Sequence, residues 1–494
     1  MMRWSPSSPT EINRLKGPRA REDFGGEHVV SDGAAHAERH GCNVHILGLS
    51  PLSMCLVRLL AGPGKAAAGF TAVVLYGGSV ARTDVIVLGA GIVGTSVAVH
   101  LAKRGLAVAL VDRGSPGEGT SYGNAGIIEG NTIFPPAFPR QWTQLLKIAL
   151  KRSPLANYRL SFLPKIAPWL GAFCAASRPE RLVETARLMR PLMARAVAEH
   201  DALSREASAE RYFRRTGWLK LYRSDDGFAA QARELAVAKE FGIANVALDS
   251  DGARALEPSL HPVFRHAVHW TGAVSVSNPL ALTRAYAARF AALGGAVFSG
   301  DARWLHRVHP HWRIDTAAGP VDAGDVVIAL GPWATDLLGP LGIKLPLAVK
   351  RGYHRHFRTE GNAALSRPVL DAENGYCLAP MEQGIRITTG VEFAPRAAPP
   401  TPVQLDLLLP SARELFALGE PVEPQPWLGA RPCFADSRPV IGRAPDHRGL
   451  WLAYGHGHWG LTLGPATGRL LAEIMTGATP FCDPAPFGAD RFRR

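Results

Sequence analysis

The chain lacks most of the features that would assign it to a class at once. Its six cysteines, Cys42, Cys55, Cys174, Cys377, Cys433 and Cys482, are scattered, and no two stand at C-x-x-C spacing. Neither a structural zinc site nor a disulfide framework is therefore indicated. No run of about eighteen residues is both apolar and free of charge, so no membrane-spanning helix is expected. The apolar stretch Ile46–Leu60 is interrupted by Arg58 and lacks the order of a secretory signal. Together these absences predict a reduced, cytoplasmic protein. The sequence also has no G-x-S-x-G elbow, no G-x-x-x-x-G-K-[ST] loop and no H-E-x-x-H helix. No cluster of ligating side chains appears, and no metal site is expected. The net charge of +13 comes from arginine spread along the chain, without a dense basic run. It predicts no nucleic-acid partner.

What is present points to a globular protein of two domains, with 494 residues, 47% hydrophobic and 20% charged. Residues Thr83–Asp112 read as strand, helix and second strand. The apolar run Val85–Leu88 suits a strand buried on both faces. Gly89, Ala90, Gly91, Ile92, Val93 and Gly94 form a G-x-G-x-x-G turn. A helix follows to about Arg104, Gly105 ends it, and Ala107–Val111 make the next strand. The first glycine permits the tight turn, the second lets a pyrophosphate approach the backbone, and the third lets the helix pack close. Asp112 lies 23 residues after Gly89, at the spacing of a carboxylate that accepts from ribose hydroxyls. That carboxylate would repel a 2′-phosphate despite the adjacent Arg113, which leaves FAD and NAD open from this unit alone.

The loop Gly114–Gly130 is rich in Gly, Ser and Asn and suits an extended anionic ligand. Its string T-S-Y-G-N-A-G, Thr120–Gly126, resembles the second flavin-contacting segment of the FAD-dependent D-amino acid oxidase superfamily. The likeness is nearest to the bacterial D-amino acid dehydrogenase small subunits and the D-hydroxyproline dehydrogenases. By that resemblance Ser121, Asn124, Ala125 and Gly126 would line the pyrophosphate and the isoalloxazine edge. The fold implied is α/β: a doubly wound Rossmann-like FAD-binding domain and a mixed-sheet substrate domain, discontinuous in sequence. The expected segments are 83–130, 271–345 and 427–480 for the FAD domain, and 131–270 and 346–426 for the substrate domain. Residues 1–82 read as an N-terminal extension, disordered over Met1–Gly41, with a helix or strand at Ala66–Leu75, and 481–494 as a tail.

Several later elements carry chemistry. Asp325–Gly331 is a buried strand before Pro332 and Trp333, and the resemblance places this A-x-G-x-W element beside adenine. Trp451–Gly468 reads as a strand, a Gly/His turn, and a helix starting near Leu463–Pro465. Gly460, Leu461 and Thr462 would present backbone donors to the N1–C2=O edge of the flavin. Arg431, in R-P-x-x-x-D-x-x-P-x-I-G, matches the family position for the substrate carboxylate. Tyr353 and Tyr376 are candidates to cover the substrate and donate to its carboxylate. His456 and His458 bracket the flavin edge, His458 being the candidate for substrate contact and Trp459 for a wall of the pocket.

Gly130–Pro179 contains no Asp or Glu, while Arg140, Lys147, Lys151, Arg152, Arg159, Lys165 and Arg178 alternate with aromatics. Around Trp142, Leu145, Leu146, Ala149 and Leu150 the spacing is helical and amphipathic. Plain packing on the substrate domain is the expectation, and contact with an anionic membrane surface is the alternative. Of the other elements, Glu180–Glu210 reads as one or two helices, Thr216–Tyr222 as a strand, Asp225–Phe241 and Asn278–Leu293 as helices, and Tyr376–Ala379 with Arg386–Val391 as a hairpin.

The implied reaction is oxidation of the Cα–N bond of a D-amino or D-imino acid, with hydride transfer to flavin N5. The favoured substrates are cis-4-hydroxy-D-proline and D-proline, and a broad D-alanine-type dehydrogenase is the alternative. Electrons would leave to a quinone or other carrier. Three further readings stay open: a tRNA-modifying FAD enzyme, a flavin-binding subunit inactive without its partner, and an NAD-dependent dehydrogenase.

Overall fold

The computed structural model describes residues 80–130 and 134–493, together with two short strands, Cys55–Leu56 and Val73–Val74. The latter pair antiparallel within a separate N-terminal unit, Met1–Tyr76. The disorder expected for Met1–Gly41 lies outside the described residues.

The strand Ala81–Leu88 sets the nucleotide-binding half. Its last four residues are buried, and alternate side chains enter opposite cores: Val85 and Val87 on one face, Ile86 and Leu88 on the other. A strand needs apolar residues in succession to be covered on both sides. Its parallel neighbours are Val108–Asp112 and Gly319–Ile328. Ala296–Ser299 extends one edge and Leu450–Tyr454 the other, also in parallel. His311–Thr316 and Val440–Arg443 add antiparallel pairings. The helices Ile92–Ala102, Pro279–Ala292 and Gly460–Met475 cover one face, and Ala334–Leu338 contributes to the core on the other.

Glycine sets two close approaches here. A Cβ on Gly94 would stand 1.9 Å from Gly89 O, and one on Gly468 would stand 2.7 Å from Ser96 C. The first lets the helix Ile92–Ala102 begin against the strand end. The second lets the helix Gly460–Met475 pack backbone to backbone against it.

The second, larger sheet is mixed. Leu347–Thr359 is its long strand, paired antiparallel with Gly384–Thr388, Val391–Phe393, Leu418–Pro421 and Trp427–Phe434. The sheet continues through Tyr376–Met381 and Val369–Asp371, then in parallel to Trp218–Tyr222, and on to His266–Trp270 and Asn245–Asp249. The expected hairpin of Tyr376 and Arg386 is thus present.

Some expectations are corrected. Trp427–Phe434, expected with the last FAD segment, pairs along its length with Leu347–His354 of the larger sheet. The 481–494 tail is docked, with Phe487 and Ala489 buried in the cores of the nucleotide half. Of the one or two helices expected over Glu180–Glu210 there is one, Pro179–Glu206, of 28 residues. Asp225–Phe241 is two helices, Asp225–Ala229 and Ala232–Glu240. The C-terminal helix begins at Gly460, earlier than the proline suggested, so Pro465 lies inside it. The helix Trp142–Ala149 buries no residue, with Trp142 70% exposed. Leu145 and Ile148 are half-buried against the cavity, so the expected packing is partial.

Candidate active site

A cavity of ≈ 1500 Å³ runs from the glycine turn to the larger sheet. At one end stand Gly89, Ala90, Gly91, Ile92 and Val93, with Asp112 and Arg113 beside them. The Asp112 carboxylate accepts from Ala90 N (2.7 Å) and Gly114 N (2.9 Å), which fixes it at the turn with lone pairs still free. Arg113 lies over the Trp333 ring at 4.9 Å, making a flat cationic wall. Gly94 is not in the wall, because its role is the close approach to Gly89.

The loop 120–126 is held from several sides. Ser121 Oγ accepts the Ile92 N–H at 2.9 Å and so caps the first helix from outside it. Asn124 Oδ1 accepts from Gly126 N (2.8 Å), and its Nδ2 donates to His458 O (3.3 Å). The buried Arg386 donates to Tyr122 O (2.8 Å) and Asn124 O (2.6 Å), tying the loop to the larger sheet. Ser121, Asn124 and Ala125 line the cavity. Gly126 does not. Its φ is +75°, and a Cβ there would meet Val276 O at 2.3 Å, so it serves the chain reversal.

Gly460 and Leu461 line the cavity at the N-terminus of the last helix. The first helical bond is Leu463 N to Trp459 O (2.8 Å), which leaves the preceding N–H groups as helix-terminal donors. Thr462 is outside the wall. Its hydroxyl donates to Ile127 O (3.1 Å) and accepts from Glu129 N (3.3 Å).

Alternation along the strands decides the substrate end. Side chains two apart share a face, and Lys350, Gly352 and Thr388 face the cavity with Arg431, Cys433 and Cys377. Tyr353 and Tyr376 belong to the opposite parity and join the core beneath. Tyr376 is absent from the wall, and its hydroxyl donates to Ser411 O (3.1 Å). Tyr353 reaches the wall, but its hydroxyl donates to Glu392 Oε2 (2.7 Å) and accepts from Thr401 N (2.7 Å). Both hydroxyls already donate within the protein, which speaks against the expected donor role, and only Tyr353 keeps a place on the wall.

Arg431 faces the cavity. Its Nη1 donates to Gly390 O (3.2 Å) and its Nη2 to Thr389 O (3.4 Å), and the guanidinium lies over Gly352. Desolvation lowers its pKa, and among the described residues no carboxylate pairs with it. Lys350, its direct cross-strand partner, was not foreseen. His458 opens to the same space with a pKa of about 3, lowered first by burial and then by Arg431 and Lys350. His456 is committed, its Nε2 2.9 Å from Thr467 Oγ1. Trp459 is committed too, donating from Nε1 to Glu129 Oε2 (3.0 Å).

The long cavity, with a helix N-terminus at each of two points and an acid at the turn, suits an extended dinucleotide. Residues 84–474 match the model of the FAD dependent oxidoreductase family. The chain is 31% identical over 438 residues to D-amino acid dehydrogenase 2 of Ralstonia nicotianae, covering 83% of this chain and 100% of that one. It is 30% identical over 417 residues to D-amino-acid oxidase of Bradyrhizobium diazoefficiens, covering 83% and 98%. The crystal structure of glycine oxidase from Geobacillus kaustophilus superposes with a TM-score of 0.66 at 24% identity, over 84% of this chain and all of that one, a likeness of fold. The chain belongs to the family of FAD-dependent oxidoreductases, with FAD as its cofactor.

Proposed function

We propose that the enzyme oxidises the Cα–N bond of a D-configured amino or imino acid whose carboxylate sits on Arg431. One observation carries this reading: a desolvated guanidinium faces the cavity with no acid among the described residues to neutralise it. A planar fork of donors suits a carboxylate. FAD, when bound, supplies the hydride acceptor. The chain supplies orientation through Arg431, and a wall that excludes water from the reacting carbon. With its pKa of about 3, His458 is too weak a base to take the amine's proton near neutrality, but it can hydrogen-bond a hydroxyl. This reading has the substrate react with its amine already neutral.

In this reading Gly89 to Val93 with Ser121 hold the pyrophosphate, Asp112 the ribose, and Gly460 and Leu461 the flavin edge. The discontinuous two-domain division belongs to the same proposal. Within the substrate class, cis-4-hydroxy-D-proline and D-proline are favoured over D-alanine, with His458 meeting the ring hydroxyl. His456 drops out of that argument.

The electron acceptor is proposed to be a quinone or other carrier. Support comes from the helix Trp142–Ala149. Gln144, Leu145 and Ile148 line the cavity, while Trp142 and Leu146 face outward beside Lys147 and near Lys151 and Arg152. An apolar and basic outer face suits an anionic membrane surface. No helix among the described residues is long and apolar enough to cross a membrane.

The test is a panel of D- and L-amino acids with D-proline and cis-4-hydroxy-D-proline, assayed with an artificial dye and separately with oxygen. Dye reduction by D-substrates is expected. Turnover of L-substrates alone would refute the chirality, and peroxide formed at the full rate would make the enzyme an oxidase.

A further inference from the structure

Lys350 and Arg431 face each other directly across two antiparallel strands, with both side chains on the cavity face. Like charges opposite one another destabilise a sheet. Burial raises that cost, and Lys350 is only 9% exposed. Among the described residues no carboxylate pairs with either cation, and the titratable groups facing Lys350 are Arg431, the Cys433 thiol, which burial keeps protonated, and the His458 imidazole.

The two head groups diverge. Arg431 leans over Gly352 toward the carbonyls of Thr389 and Gly390. Lys350 turns the other way, its Nζ 3.9 Å from the Phe173 ring centre and 5.0 Å from that of Trp169. A ring face offsets part of the ammonium's desolvation but does not accept all three of its N–H bonds. Phe138, Leu163, Leu170 and Phe393 make the nearby wall apolar. Lys350 is thus a cationic group set in an otherwise largely apolar wall.

We propose that Lys350 forms a second anion subsite, so that the preferred substrate is a D-amino or D-imino acid carrying a second carboxylate. This rests on the reading that Arg431 holds the α-carboxylate. The separated heads favour two anionic groups on one substrate over a shared grip on a single carboxylate. Acidic substrates then rank above D-proline and cis-4-hydroxy-D-proline, whose far ends carry no charge.

The experiment compares kcat/KM for D-glutamate with D-glutamine, and D-aspartate with D-asparagine. It uses the FAD-loaded wild type, Lys350→Met and Lys350→Arg. In parallel, the flavin absorbance is titrated with glutarate and with butyrate, which requires no turnover. Wild type should favour each acid over its amide by about tenfold or more and bind glutarate correspondingly tighter than butyrate. Lys350→Met should bring both ratios near one, and Lys350→Arg should keep them well above it. Equal use of acid and amide by wild type, or a preference undiminished in Lys350→Met, overturns the inference. Loss of FAD from Lys350→Met also overturns it, since the ammonium would then serve the cofactor. If glutarate binding depends on Lys350 while no D-amino acid is oxidised, the second subsite stands and the proposed reaction fails.

Discussion

At Arg431 the charge, the space around it and its neighbours can be separated by substitution. Arg431→Ala removes a desolvated charge-assisted contact, a loss of about 2–5 kcal/mol where such a pair is buried. KM should rise by ~30-fold or more, while bound FAD is retained because the nucleotide turn lies on the other sheet. Unchanged kinetics would take Arg431 out of the site. Gly352 tests the same group by sterics. A Cβ there would stand 2.4 Å from Arg431 Nη1 and 2.7 Å from its Cζ. The guanidinium must move, since a contact under 3 Å is not tolerated. Gly352→Ala should therefore raise KM with folding and FAD content intact, and an unaltered KM would show that the clamp is not held where it works.

Among the elements, the nucleotide half was legible because its signals are local. Gly89, Gly91, Gly94 and Asp112 lie within one strand–helix–strand unit, and the apolar run Val85–Leu88 reports burial on both faces. The substrate half was not, because its residues meet through long-range strand pairing. Tyr353 and Tyr376 were chosen by type and position, whereas parity along their strands decides which side chains reach the cavity. Lys350 and Gly352, the flanking residues of opposite parity to Tyr353, are the ones exposed there. That pattern is readable only once a register partner such as Arg431 is known.

The last helix was misread for a related reason. Pro465 is tolerated inside it because a partner outside the helix replaces the missing hydrogen bond. Proline has no N–H to give Leu461 O, its i−4 carbonyl, and the buried His200 Nε2 contacts that oxygen at 2.7 Å instead. His200 has a pKa of about 4, lowered by burial, so it is neutral near pH 7. With Nε2 donating to the carbonyl, its Nδ1 accepts from Tyr286 OH at 3.0 Å. Removing the imidazole should orphan the carbonyl at a cost of about 1–3 kcal/mol. In a Pro465→Ala background a backbone N–H is restored, so His200→Ala should cost clearly less there. Thermal unfolding of the two single variants and the double variant measures the coupling, and simple additivity would refute this account of the helix.

Over the whole Gly77–Arg494 unit, buried neutral histidines set the response to acid. Burial is the largest cause of lowering for His100, His354, His456 and His458, to about 3, 2, 3 and 3, and for His200, to about 4. In the unfolded chain each has its ordinary value of 6.5. Between 6.5 and the folded values the unfolded state binds more protons, so stability rises with pH. The contribution is complete above about pH 7 and is lost progressively as pH falls below 6.5. Each histidine adds a slope of about 1.4 kcal/mol per pH unit once well below 6.5. Asp225, Asp301, Asp322 and Glu423 have lowered pKa values, so their stabilisation disappears only at more acid pH. The window from pH 6.5 to 5 therefore reports the histidines. With FAD kept in excess, Tm should be nearly level from pH 8 to 7 and fall steeply from 6.5 to 5. A level Tm through pH 5 would mean that these imidazoles are protonated as readily in the folded protein as outside it.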